Sequence, residues 1–71
     1  MKNLQISIGK KVRELRMEAG LSQEVFADKA GIHRMHMGEI ERGEIDMSIS
    51  TLMKVCHALG VKVSKLVQGI A

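Results

Sequence analysis

The chain has 71 residues, with 11 basic against 8 acidic residues, a single cysteine and a net charge of +3. A domain of this size lies near the lower limit at which an apolar core is stable unaided, and one cysteine excludes an internal disulfide. The lone thiol, with no signal-peptide pattern and no apolar run of about 18 residues, predicts a cytoplasmic protein without a membrane partner. The positive charge is compatible with a polyanionic partner, although small domains often carry it by chance.

Apolar residues recur at helical spacing along the whole chain, and the alternating patterns of strands are absent. We therefore predict a single all-α domain of five helices that comprises residues 1–71. The first helix is expected over residues 5–18, where Ile8, Val12 and Leu15 form one apolar stripe.

Two short helices joined by a tight turn are predicted next. Ser22 is suited to cap the second helix, and Glu24 lies in its first turn, where the helix dipole favours an anion. Gly31 can take the positive φ that a sharp exit from a helix requires. His33 begins the third helix, 11 residues after Ser22. This spacing predicts a helix-turn-helix over residues 22–42, an arrangement whose second helix lies in the major groove of DNA.

A fourth helix is predicted between its N-cap, Ser48, and Gly60, and residues 63–68 are expected to add one last short turn of helix. The inner face of the fourth helix is formed by Leu52, Val55, Cys56 and Leu59. Further apolar residues exceed what one monomer can easily bury, so we predict a two-fold homodimer through about residues 45–71. The residues of this surface are Met47, Ile49, Met53, Val61, Val63, Leu66, Val67 and Ile70.

The outward face of the third helix carries the chemistry of the predicted motif. The core is expected to receive Ile32, Met37 and Ile40, and the opposite face to carry Arg34, Met35, Gly38 and Glu39, with His33 and His36 at its edges. Arg34 is in the first turn, which usually reaches base edges, and can pair two donors with guanine O6 and N7. Met35 either touches a thymine methyl group or is simply exposed. Glu39 either accepts from cytosine N4 or is a solvated charge that repels phosphates.

A wider set of residues, spread over positions 8–67, recurs in one known family. It consists of Gly9, Val12, Arg13 and Arg16; Leu21-Ser22-Gln23, Phe26-Ala27 and Gly31-Ile32; and Ile40-Glu41-Arg42-Gly43, Ser48, Leu52 and Ala58-Leu59-Gly60-Val61. In this order and spacing the chain resembles the phage-repressor-type helix-turn-helix family, Cro and its relatives, also called the XRE family. Within the family it looks most like the controller proteins of restriction–modification systems, although Met35-His36 and Ile45-Asp46 replace polar and basic residues that are usual there.

The resemblance implies a compact five-helix bundle of the lambda-repressor-like type that binds double-stranded DNA as a symmetric homodimer through its last helices. It implies a sequence-specific transcription regulator of a restriction–modification or prophage locus, for which RNA polymerase is a further candidate partner. The alternative is an antitoxin or protein-interaction module on the same scaffold. Such a module would carry an extra segment to hold its partner, and the near absence of one here favours the plain regulator.

The resemblance also implies roles for individual residues. Gln23 matches a residue that contacts a DNA phosphate and can brace the recognition helix, while the base-reading positions match Arg34, Met35 and Glu39. Arg16 and Glu41 match a pair that forms an internal salt bridge between the first and third helices, although Arg16 could instead face DNA. Motif and resemblance together give the expected DNA-binding residues Gln23, His33, Arg34, Met35, His36, Glu39 and Arg42. The alternative for Gln23 and Arg34 is an ordinary solvated side chain.

Metal binding and catalysis have little support in the sequence. His33 and His36 stand at i and i+3, but a structural zinc site needs about four ligands, and the other candidates, Cys56 and His57, lie on another helix. Cys56 also fits an apolar stripe. Adjacent residues on a helix point about 100° apart, so Cys56 and His57 cannot form a nucleophile–base pair. We expect no metal, no cofactor and no enzymatic activity.

Overall fold

Every regular element in residues 2–69, the part of the chain that the computed structural model describes, is an α-helix. The helices are α1 (Lys2–Glu18), α2 (Gln23–Ala30), α3 (Arg34–Arg42), α4 (Ile49–Leu59) and α5 (Val63–Val67). The predicted all-α fold of five helices is confirmed for this range. Within it, no helix has the length and apolar character needed to cross a membrane.

Local capping interactions set the starts of α2 and α4 and the end of α2 where the sequence predicted them. The Oγ of Ser22 accepts a hydrogen bond from the backbone N–H of Val25 at 3.1 Å, which satisfies a free donor in the first turn of α2. Ser48 makes the same contact with the N–H of Thr51 at 3.1 Å at the start of α4. Gly31 has a φ of 70°, so the chain can turn sharply as it leaves α2.

The first helix begins at Lys2 rather than at residue 5, where the apolar stripe had placed its start. Packing against the end of α3 explains the difference. Leu4 lies one helical turn before Ile8 and lines an apolar groove together with Ile8 and Ile40. A Cβ on Gly43 would be only 2.6 Å from the Cα of Ile6, so the backbones meet closely there. Leu4 therefore extends the apolar stripe of α1 by one turn, beside the contact of α1 with the end of α3.

All five helices contribute to one core. The side chains of Val12, Phe26, Met37, Val55 and Leu66, one from each helix, have no exposed surface. Five further core residues pack around them, namely Leu15, Ala27, Ala30, Cys56 and Ala58. Val12, Phe26, Met37 and Val55 lie on the faces that helical spacing predicted to be buried. The amphipathic pattern therefore determines which face of each of these four helices points inward.

The structure corrects part of the predicted dimer surface. Leu66 belongs to the core of the monomer, because α5 packs on α1 and α4. Three further residues of that set, Met47, Val61 and Val63, are partly buried against the same core. The apolar residues that stay exposed are Ile49, Met53 and Val67, and Ile70 lies outside the described residues.

Helices α1 and α3 approach so closely at Gly9 that no side chain fits there. A Cβ at this position would overlap the carbonyl oxygen of Ile40 and lie 2.7 Å from that of Glu41. Real Cβ atoms do not come so near to backbone atoms, which cannot rotate away. Gly9 therefore fixes how α1 lies against the helix that carries the candidate functional face.

Candidate nucleic-acid interface

The turn between α2 and α3 orients the two helices of the motif. The backbone N–H of Gly31 donates to the carbonyl of Asp28 at 3.1 Å, and that of Ile32 donates to the carbonyl of Ala27 at 2.9 Å. These bonds close the end of α2. Ile32 is partly buried against the core from a position before α3, rather than on it as predicted. The turn is thus anchored by one apolar residue, and the polar face of α3 stays accessible.

A shallow depression of about 300 Å³ lies on this accessible face. Its lining consists of Gln23, Arg34, Met35, Gly38, Glu39 and Arg42. Five of these are residues that the sequence predicted for DNA contact, and the fold brings them into one continuous surface. The remaining two predicted residues, His33 and His36, lie on α3 or at its start but do not line the depression.

Gly38 lies on the outer side of α3, as predicted, but it is buried there rather than exposed. The side chains of Gln23 and Arg42 close over it, so that a Cβ there would be 3.4 Å from Oε1 of Gln23 and 3.0 Å from Nη1 of Arg42. Helical periodicity correctly places this position on the outer side of α3. It cannot show that long neighbouring side chains cover a residue that has none of its own. Gly38 forms the floor of the depression.

Arg34, the first residue of α3, reaches back to α2. Its Nη1 donates to Oε2 of Glu24 at 3.3 Å, and about two thirds of each side chain is exposed. Next to it, Met35 has 70% of its surface exposed. Glu24 was predicted only as an acid that favours the dipole of α2, and its bond to Arg34 was not predicted. The signal available was an acid in the first turn of one helix of the motif and a base in the first turn of the other.

A buried carboxylate ties the motif to α1. Glu41 accepts from Nε of Arg16 at 2.8 Å, from Nη2 of Arg16 at 3.1 Å and from Nε2 of Gln23 at 3.1 Å. The third nitrogen of the guanidinium, Nη1, donates to the carbonyl of Leu21 at 2.9 Å. Only 11% of the Arg16 side chain and 2% of the Glu41 side chain are exposed. The structure therefore places Arg16 inside this network rather than towards solvent, and the same network orients Gln23.

The end of α3 carries a second, exposed cation. Arg42 donates two hydrogen bonds to the carboxylate of Glu44, at 2.9 Å and 3.1 Å. This hydrogen bonding, together with the charge of Arg42, holds the pKa of Glu44 below its ordinary value, while Glu44 in turn raises the pKa of Arg42. Glu44 was not predicted to take part in the surface. On the middle of α3, Nδ1 of His36 lies 3.8 Å from Oε1 of Glu39.

His33 is the N-cap of α3. Its Nδ1 accepts a hydrogen bond from the backbone N–H of Met35 at 3.2 Å, as a serine or aspartate oxygen does at this position in other helices. A nitrogen that accepts cannot carry a proton, so the proton of the neutral ring is on Nε2. That nitrogen is the donor His33 can offer to a partner beside the first turn of the helix.

Cys56 and the histidines are not arranged as a metal or catalytic centre. Burial raises the pKa of the Cys56 thiol, which disfavours the reactive thiolate, whereas the neighbouring His57 is exposed. Among the described residues, no group of three or more histidine, cysteine, aspartate or glutamate side chains is placed to hold an ion. The arrangement on α2 and α3 is instead an accessible helix face with two exposed arginines, each bonded to a glutamate.

Comparison with known proteins agrees with this architecture. Residues 12–66 match the model of the family HTH_3, described as helix-turn-helix. The chain belongs to the helix-turn-helix family. An immunity repressor protein of Bacillus phage phi105 is 37% identical to it over 62 residues, which is 87% of this chain and 43% of the repressor. The chain thus spans less than half the length of that relative.

Two solved structures extend the helix-turn-helix likeness to three dimensions. The restriction-modification controller protein C.AhdI from Aeromonas hydrophila superimposes with a TM-score of 0.87 and 35% identity, over 93% of this chain and 98% of that protein. SinR, a master regulator for biofilm formation that was crystallised in complex with DNA, gives a TM-score of 0.81 and 35% identity, over 86% of this chain and 98% of the SinR chain.

Proposed function

We propose that this helix-turn-helix chain is a sequence-specific transcription regulator that binds double-stranded DNA as a homodimer and has no enzymatic activity of its own. The observation that carries the proposal is the depression in which Gln23, from the start of α2, forms one accessible surface with Arg34, Met35, Glu39 and Arg42 of α3, the second helix of the motif. That helix enters the major groove in regulators of this architecture. The likeness to SinR, a structure solved with DNA, supports the same docking here.

The donors of the surface and Met35 have roles that follow from their chemistry. Arg34 can place two donors on guanine O6 and N7, and Met35 can contact a thymine methyl group. Gln23 has one amide hydrogen bonded to Glu41 and a second one free for a phosphate oxygen. Arg42 and Nε2 of His33 are further phosphate donors at the two ends of α3. His36 and Glu39 lie between them at the edge of the surface.

Dimerisation through α4 and the residues around it would complete the operator-binding unit. Ile49 and Met53, spaced i and i+4 on one face of α4, keep 79% and 55% of their surface exposed, and Val67 on α5 is exposed as well. An apolar face of this kind in a small domain suits a self-complementary contact. A two-fold dimer would set two α3 helices about 34 Å apart, one turn of DNA.

The likeness to a restriction-modification controller over nearly its whole length favours a controller role, and the likeness to a phage immunity repressor keeps a prophage locus as the second candidate. A regulator that activates its promoter would also contact RNA polymerase. In a bacterial cell the operator, and with it the protein, would be in the cytoplasm.

The test is a fluorescence anisotropy titration of the protein against the DNA upstream of its own gene and against scrambled DNA. If each dimer neutralises about 6–10 phosphates, the logarithm of the affinity should fall with the logarithm of the salt concentration at a slope of about −5 to −9. Gln23→Ala should weaken binding to both DNAs, because a phosphate contact carries no sequence information. Arg34→Ala should cost about 1–3 kcal/mol per half-site on the upstream DNA and change scrambled binding little.

An arginine outside the depression supplies the matched control. Arg13 is exposed on α1, and Arg13→Ala removes the same charge, so it should change both affinities by one similar small factor. Equal losses on both DNAs for Arg34→Ala would make Arg34 a backbone contact rather than a base reader. No salt-dependent binding to any upstream DNA would overturn the proposal and favour a protein-interaction module or antitoxin on this scaffold.

A further inference from the structure

Glu24 and Arg34 connect the two helices of the motif at their N-terminal ends. Glu24 is the second residue of α2, and Arg34 is the first residue of α3. Their side chains meet in a single hydrogen bond, Nη1 to Oε2 at 3.3 Å. With 67% of Arg34 and 66% of Glu24 exposed, the contact contributes little to folding, since exposed ion pairs change an equilibrium constant by about fivefold or less. The main consequence of this contact is that it holds the guanidinium of Arg34 in one position.

We propose that Glu24 is a positioning residue for base recognition: it pre-orients Arg34 so that the guanidinium meets a guanine edge, and it thereby increases the preference for the operator over other DNA. The inference rests on the proposed function and deepens it. It assigns a role in specificity to a side chain on α2 that does not line the depression itself.

The geometry leaves the reading edge of Arg34 free. Only Nη1 is bonded to Glu24, so the edge formed by Nε and Nη2 keeps two parallel donors. Two parallel donors are what guanine O6 and N7 require. Arginine has several rotatable bonds, and a side chain fixed before binding loses less conformational freedom in the complex. Immobilising such a side chain weakens binding by about 2- to 10-fold, which pre-orientation by Glu24 would recover for each half-site.

The charge of Glu24 also increases the preference for the operator, because it weakens binding to other DNA. Without a guanine at the right position, Arg34 could gain only by pairing with a phosphate. A carboxylate bonded to the guanidinium partly neutralises it and repels the phosphate backbone. Specific binding is therefore strengthened and non-specific binding weakened by one residue. Arg42, the other exposed cation of the surface, donates from Nε and Nη2 to Glu44, so the edge that stays free on Arg34 is occupied on Arg42.

The experiment measures the affinity of Glu24→Ala for the upstream DNA and for scrambled DNA. The quantity compared between variants is the ratio of the affinity for upstream DNA to the affinity for scrambled DNA. Two half-sites multiply the effect, so the ratio should fall about 4- to 100-fold, with scrambled binding equal to or tighter than that of the wild type. Glu24→Gln keeps an oxygen acceptor for Nη1 and should recover part of the ratio. In the Arg34→Ala background, Glu24→Ala should have no further effect on the ratio, because the side chain that it positions is gone.

Asp28→Asn is the matched control, because Asp28 is an exposed acid on the same helix and is not one of the acids paired with a cation in the described part of the chain. It should leave the ratio unchanged. Melting temperatures of all these variants should stay close to the wild type, which excludes a folding effect. The inference would be overturned, and the proposed function left intact, if the affinity ratio of Glu24→Ala equalled that of the wild type. It would also be overturned if Asp28→Asn lowered the ratio as much as Glu24→Ala does. Absence of any DNA binding by the wild type would overturn both.

Discussion

Glu41 shows how one buried carboxylate can serve the fold and the candidate DNA-binding surface at once. It accepts two hydrogen bonds from Arg16 on α1 and one from Gln23 on α2, while belonging to α3 itself. Among the side chains that the structure describes, no buried polar atom is left without a hydrogen-bond partner. A charge that is removed from water in this way is tolerable only while all its partners are in place. The network is therefore sensitive to the loss of any one member.

We expect Glu41→Ala to destabilise the domain by about 2–4 kcal/mol, because it leaves the guanidinium of Arg16 largely buried without its anion. For a domain of this size the melting temperature should fall by roughly 10–30 °C, as measured by circular dichroism. Glu44→Ala removes an acid from an exposed ion pair and should melt close to the wild type. Similar melting of both variants and the wild type would show that the Arg16–Glu41 pair does not hold α1 to α3.

The packing of α1 on α3 determines how the candidate DNA-binding helix is held on the rest of the protein. This pair of helices makes the most extensive contact among the elements of the described chain. At its centre lies Gly9, where the backbones of the two helices touch without an intervening side chain. Ile6, earlier on α1, continues the same contact as far as Gly43. A change in the spacing of the two helices would therefore tilt α3 as a whole.

For this packing of α1 on α3 we expect Gly9→Ala to destabilise the protein by about 3 kcal/mol or more, since the added methyl group meets fixed backbone oxygens. In an exposed helix interior the same change would stabilise by about 1 kcal/mol, so the sign of the effect identifies the contact. Urea denaturation measures it. Ser7→Ala, at an exposed position of α1, is the control and should change stability by only a few tenths of a kcal/mol. If Gly9→Ala were as stable as the wild type, the two helices would be further apart than described.

For the molecule as a whole, the proposed homodimer depends on the exposed apolar face of α4. The core of the monomer takes up Leu66 and partly covers Met47, Val61 and Val63, so the apolar surface available to a partner is smaller than the sequence suggested. Ile49 and Met53 remain, side by side on one helical face. In the dimer that we propose, a second copy of the chain would cover this face about a two-fold axis, and each copy would contribute one α3 to the operator-binding unit.

We expect the wild type to be a dimer at micromolar concentration in sedimentation equilibrium, and Ile49→Lys to shift it to the monomer, since a charge would then be buried at the centre of the contact. Operator binding should weaken with it, because two half-sites are no longer linked. Met17→Lys places the same charge on an exposed methionine of α1 and should leave the dimer intact. A dimer that survives Ile49→Lys would place the interface elsewhere, and a wild-type monomer that binds the operator alone would remove dimerisation from the proposal.

Most of the secondary structure and the orientation of the helix faces could be predicted from the sequence, because both depend on residues a few positions apart. Ser22 and Ser48 cap the helices that follow them, Gly31 ends α2, and the apolar stripe of α1 includes Val12 in the core. The surface carried by α3 follows from the same rule. Residues three and four apart share a face, whatever the remainder of the chain does.

What only the tertiary structure decided are the contacts between residues far apart in sequence. Periodicity could not show that Gly38 lies beneath the side chains of Gln23 and Arg42, or that Glu24 holds Arg34. Leu66 belongs to the monomer core because α5 folds back onto α1 and α4, a path that its own five-residue helix does not encode. Helical spacing determines which face a residue occupies, but the partner opposite that face depends on how separate helices pack, which is a property of the whole chain.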